Sequence, residues 1–110
     1  KTAREGVAAV FRAIIADLDR KGNVTGCPLN NVALELSLAD PDFRLAIDDA
    51  FAAWRAAIAE KLRADGATDD AERLATLIVA SYSGAMAMAK AGQQTAPLRD
   101  CAAALDSVLA

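Results

Sequence analysis

The 110 residues contain no histidine. Nucleophilic catalysis of the Ser-His-Asp or Cys-His kind is therefore excluded, and so are imidazole-based zinc sites. Cys27 and Cys101 stand far apart with no C-x-x-C spacing. They read as small apolar residues rather than as a disulfide or a metal pair. What remains is the chemistry of recognition. Asn31 and Glu35 stand four apart, on one face of a helix. Trp54 offers a planar face and an indole N–H, and Ser81 and Tyr82 offer hydroxyls. Each has two uses. Asn31 either hydrogen-bonds a ligand or ties down a neighbouring backbone. Glu35 either does the same or reaches solvent or an arginine. Ser81 could bond back to its own helix. A general base would have to be a carboxylate of raised pKa, and the arginines lie mainly on polar faces. No converging catalytic site is visible, and no metal or cofactor is expected.

The elements that must position these groups are helices. Hydrophobic residues make up 55% of the chain, with alanine dominant, and only three prolines and six glycines interrupt it. Such a composition favours helix, and β-branched residues are few. One all-α domain of five helices follows. The first spans about Thr2 to Lys21, with Val7, Val10, Phe11, Ile14, Ile15 and Leu18 as its apolar stripe and Gly22 as its stop. Pro28 starts a second, short helix that ends near Ala39. Asp40-Pro41-Asp42 is an N-cap, a first-turn proline and an acid facing the helix dipole. The third helix then runs to about Asp65, with Phe43, Ile47, Phe51, Trp54, Ile58 and Leu62 on one face. Asp69 with Glu72 resembles a capping box for the fourth helix, which Gly92 stops. Thr95 or Ala96 caps the fifth. The net charge of −3 and the lack of a Lys/Arg cluster argue against the chain gripping nucleic acid by itself.

From Leu74 to Ala89 there is no charged residue. A helix that is apolar or small on nearly every face must be covered on more than one side. Ala80, Gly84 and Met88 recur four apart and would let a second helix come close, while Tyr82 and Met86 could look into a cavity. The residues alone leave open whether this is the central helix of a monomeric bundle or a subunit interface. A membrane span is disfavoured. The uncharged run is shorter than the ~20 residues a bilayer needs, and it is rich in Ala, Ser and Gly.

The order of the signals resembles a known family. Gly26-Cys27-Pro28-Leu29-Asn30-Asn31-Val32-Ala33-Leu34-Glu35 follows one turn after a long amphipathic helix. Asp40-Pro41-Asp42-Phe43-Arg44, Phe51-Ala52-Ala53-Trp54-Arg55, Ser83-Gly84-Ala85 and Ala96-Pro97-Leu98 come after it. Together they resemble the C-terminal domain of TetR-type transcriptional repressors of the LmrA/YxaF-like subgroup. The resemblance implies a cytoplasmic homodimer, with the last two helices of each copy forming a four-helix bundle. Ala80, Gly84, Ala87, Met88, Leu98, Cys101 and Leu105 would line that interface. It implies a pocket for a small apolar or aromatic inducer, with Phe11, Asn31, Glu35, Phe51, Trp54, Tyr82 and Met86 as candidate contacts. Ile14, Leu18, Leu29, Val32, Ile58 and Ile78 could serve as walls or as plain core. It also implies that operator DNA is read by an N-terminal helix-turn-helix domain absent from this chain. Two alternatives stand beside it: a helical dimerisation module with no ligand, and a small all-helical enzyme.

Overall fold

The capping chemistry sets most helix ends. Thr2 and Glu5 form a reciprocal capping box at the start of α1 (Ala3–Lys21), and Gly22, at φ 77°, closes it with an N–H donated to the Leu18 carbonyl. Proline opens α2 (Pro28–Leu36). Asp40 caps α3 (Pro41–Ala64) by accepting from the Asp42 and Phe43 amides at 2.9 and 3.3 Å. α4 (Ala71–Gly92) and α5 (Ala96–Val108) complete the chain. The computed structural model describes residues 2–36, 39–67 and 69–110, and the side chains of all of these except 32, 34, 35 and 36. The expected continuation of α2 through Ser37 and Leu38, and Thr68 before α4, lie outside the described residues.

Three local expectations give way to long-range contacts. Asp69 and Glu72 form no capping box. Asp70 stands at the N-cap of α4 without a side-chain cap bond, its carboxylate paired with Arg73, while Glu72 reaches across to Arg63 of α3. Gly92 does not stop α4 either: it is the last helical residue, and Gln93 takes the left-handed position at φ 51°. Gln93 is held there by its own amide. Its Nε2 donates to the Val24 and Lys90 carbonyls at 2.8 Å each, and its Oε1 accepts from the Val24 N–H at 3.0 Å. These bonds offset a conformation that costs a non-glycine residue about 1 kcal/mol. Thr95 holds the expected N-cap position of α5, but its hydroxyl donates to Asp19 at 2.8 Å instead of accepting a cap bond.

α3 packs along α4, α4 along α5, and α1 along α5, while α2 leans on α3. α1 and α3 meet only weakly. The core lies between these pairs and includes Phe11, Leu18, Leu62, Ile78, Met86, Leu98 and Leu105. The molecule is a slab of 39 × 35 × 17 Å. Helices are ~10–12 Å across with their side chains, so a slab this thin leaves one side of its outer helices uncovered. α3 also outruns the core. At 24 residues it is about 36 Å long, and its first turns carry Phe43 at 49% and Leu45 at 53% exposure. Phe43 therefore leaves the buried stripe expected for it, although Ile47 and Leu62 keep their places.

Candidate functional site

Because α1 leans on α5 and α3 leans on α4, a trough opens between α1 and α3. It encloses a cavity of about 580 Å³. Val7, Val10, Phe11 and Ile14 of α1 form one wall, and Trp54, Ala57, Ile58 and Lys61 of α3 form the other. Ile78, Val79 and Tyr82 of α4 make the floor, and Thr2, Ala3 and Gly6 close the end beside Lys61. The walls are almost wholly apolar. This size and lining suit a small-molecule site.

An aromatic chain organises the inner end. Tyr82 meets Phe11 edge-to-face at 6.2 Å and Trp54 edge-to-face at 5.4 Å. Phe51 stacks on Trp54 at 6.4 Å. Edge-to-face contacts align ring edges with ring faces and hold the rings at fixed angles. Trp54 stays 38% exposed, and its indole N–H meets no acceptor among the described residues. Burial, with a hydrogen bond to the Cys27 sulfur, pushes the Tyr82 hydroxyl up to about 12. At neutral pH Tyr82 is a neutral phenol. Both cysteines are free and half-buried.

Of the residues expected at a ligand, Phe11, Trp54 and Tyr82 line this cavity, with Ile14, Ile58 and Ile78 from the wall set. Phe51 supports Trp54 from behind. Asn31 and Met86 are elsewhere, on a second cavity of about 330 Å³ with Gly26, Asn30, Ala87, Lys90 and Ala91. There Asn31 ties down backbone: its Nδ2 donates to the Thr25 carbonyl at 3.2 Å, and its Oδ1 accepts from Lys90 at 3.4 Å. Gly26 makes room for it, since a Cβ at φ 90° would sit 2.9 Å from Asn31 Oδ1. The side chains of Glu35 and Val32 lie outside the described residues. As lining residues the sequence reading missed Thr2, Ala3, Gly6, Val7, Val10, Ala57, Lys61 and Val79. A signal for Lys61 existed: with Trp54 and Ile58 it continues one stripe at i, i+4 and i+7, but its charge made it look like solvated surface.

The outer side of α4 is of another kind. Leu77, Ala80, Gly84, Ala87, Met88 and Ala91 are exposed, Leu77 by 42% and Met88 by 64%. Positions 77, 80, 84, 87 and 91 alternate by three and four, the spacing of a helix–helix seam. Beside them α5 exposes Ala103, Ala104, Ser107 and Val108. Leu98 and Leu105, expected on this interface, point the other way. They are 0% and 3% exposed in the chain's own core, with Cys101 half-buried against it, because the largest apolar groups of α5 are needed to fill the space under α1 and α4. By length and composition α4 could cross a bilayer, at a mean hydropathy of 1.3. Instead its Ala75, Ile78, Val79, Ala85, Met86 and Ala89 are buried in this domain.

No curated protein and no solved structure matches the chain. A family model does, that of the transcriptional regulator LmrA/YxaF-like C-terminal domain, over residues 3–104. With five helices among the described residues and a match across nearly its whole length, the chain belongs to the LmrA/YxaF-like family of TetR C-terminal regulatory domains.

Proposed function

We propose that this domain senses a small apolar or aromatic molecule and dimerises, as part of a cytoplasmic TetR-type repressor whose operator is read by a separate N-terminal helix-turn-helix domain. Occupation of the cavity releases the repressor. The observation that carries the sensing half is the apolar cavity of about 580 Å³ between α1 and α3, with Trp54 and Tyr82 on its walls. A space of that size with so few polar groups is costly to keep unless something fills it. Release follows if the guest prefers one spacing of α1 against α3. The shift can be no larger than that preference. The dimer half is supported by the exposed 3-4-3-4 seam on α4, small at every position but Leu77.

Filling the cavity from inside tests the sensing half. Ala57 is exposed on α3 and lines the cavity, so Ala57→Trp adds an indole there without disturbing the core. Nile red, a neutral planar dye, brightens on binding the parent chain and stays dark with Ala57→Trp. In the full regulator the same substitution leaves operator binding intact and abolishes release by the dye. If the dye binds the variant as it binds the parent, the cavity is not the sensing site.

A further inference from the structure

Lys61 is the one charged residue lining the cavity, among the described residues, and it stands at the opposite end from the aromatic cluster. Trp54 and Lys61 are seven positions apart on α3, two helical turns on one face, or about 10 Å. Between them the walls are Val7, Val10, Ala57 and Ile58. We infer that the cavity takes an amphipathic organic acid: an aromatic group against Trp54 and Tyr82, an apolar body of about 10 Å along α1 and α3, and an anionic head at Lys61. The inference rests on the reading of this cavity as a sensing site and names its ligand class.

The state of Lys61 supports this. Its half-exposed ammonium is 3.8 Å from Oδ1 of Asp65, whose side chain is 25% exposed, a long contact. The other oxygen of Asp65 accepts the Ala3 N–H at the start of α1, so Asp65 is committed elsewhere. Lys61 can therefore turn to an incoming carboxylate while Asp65 keeps its bond from the Ala3 N–H. Thr2, at the same end, already donates its hydroxyl to Glu5 Oε1 at 2.9 Å, so Lys61 alone is left to meet the charge. At the other end the available polar groups are the Trp54 indole N–H and the neutral Tyr82 phenol, neither of which compensates a full negative charge as an ammonium does. The acid therefore belongs at Lys61 and the ring at Trp54.

Trp54 is the only tryptophan in the chain and sits in the cavity, so its fluorescence reports occupation directly. The probes are phenylhexanoate, its neutral alcohol phenylhexanol, and the short acid phenylacetate. The parent chain binds phenylhexanoate about tenfold more tightly than the alcohol, the scale of one charge-assisted contact. Lys61→Met removes that preference by weakening the acid and leaving the alcohol alone. Lys61→Arg keeps it, and added salt reduces it in the parent. Phenylacetate, too short to reach both ends, is insensitive to Lys61→Met. Equal binding of acid and alcohol, or an acid preference that survives Lys61→Met, overturns the inference and leaves the cavity as a sensing site. If neither long probe changes Trp54 fluorescence, the sensing site and the inference fall together.

Discussion

The two sides of the α4–α5 layer use side-chain size in opposite ways. The inner side carries Ile78, Tyr82, Met86, Leu98 and Leu105, large groups that meet α1 and α3. Even so they leave a hollow, because α1 and α3 lean on different partners. The outer side carries Ala80, Gly84, Ala87, Ala103 and Ala104, all exposed, with Ala87 bordering Asn30 and Asn31 across the smaller cavity. A Cβ added at Gly84 would meet no atom within 4 Å. Large residues on a splayed frame make room for a guest. Small residues on a flat face allow another helix to approach closely. Within the chain, then, substitutions on the inner side should register in folding, and those on the outer side only in association.

The sharpest way to break that contrast is a pair of substitutions on the two sides. Leu98 is fully buried, so Leu98→Ala should cost the fold about 3 kcal/mol, read as a fall in the denaturant midpoint. Gly84→Leu should leave the single chain as stable or raise it by up to ~1 kcal/mol, since leucine is the better helix former. In sedimentation the same change should dissociate the proposed dimer, because the added side chain holds the seam apart. A Gly84→Leu protein that still sediments as a dimer places the interface elsewhere. A Leu98→Ala protein of parental stability would mean that the inner side is not a packed core.

A smaller effect sharpens the boundary between the sides. Gln93, at the end of α4, satisfies both the N–H and the carbonyl of buried Val24. Gln93→Ala strands both groups and should cost about 1–2 kcal/mol in chemical denaturation, with the dimer unaffected. Gln93→Gly relieves the backbone strain at φ 51° and should recover part of that loss. If glycine is no better than alanine, the left-handed conformation carries no measurable strain.

Gln93 also marks the limit of what the sequence discloses. Thr2, Gly22, Asp40 and Pro41 act on residues one to four positions away, so their roles are legible from neighbours alone. Gln93 acts on Val24 across the fold, and Glu72 on Arg63 of the preceding helix; no pattern within either helix announces the contact. The site divides along the same line. Phe11, Trp54 and Tyr82 stand out as large aromatics on apolar stripes, although the same signal marks Phe43, which the overhang of α3 leaves exposed. Asn31 stands out by type but sits on another cavity, since α2 packs beside the far end of α4. Lys61 is hidden because a charged residue at the end of a stripe looks solvated until the trough beside it is known. On α5 the stripe Leu98, Cys101, Leu105 is correctly an apolar face, but periodicity cannot say which of two possible partners it meets.

The finest test of the comparison uses the only tyrosine of the chain, whose ultraviolet titration has no competitor of its own kind. On the inner side, burial first and the Cys27 hydrogen bond second hold the Tyr82 hydroxyl near about 12, against ~10 for a free phenol. The folded value lies above the unfolded one. The stabilisation is therefore complete below about pH 10 and is lost as pH rises towards about 12, because the unfolded chain ionises first. Cys27→Ala should lower the midpoint only in part, since burial is the larger cause and remains. A guest in the cavity should raise it further by displacing water from the ring. A Tyr82 that titrates as a free phenol would mean that the trough is flooded, and that the inner and outer sides of α4 differ in side-chain size but not in their exposure to water.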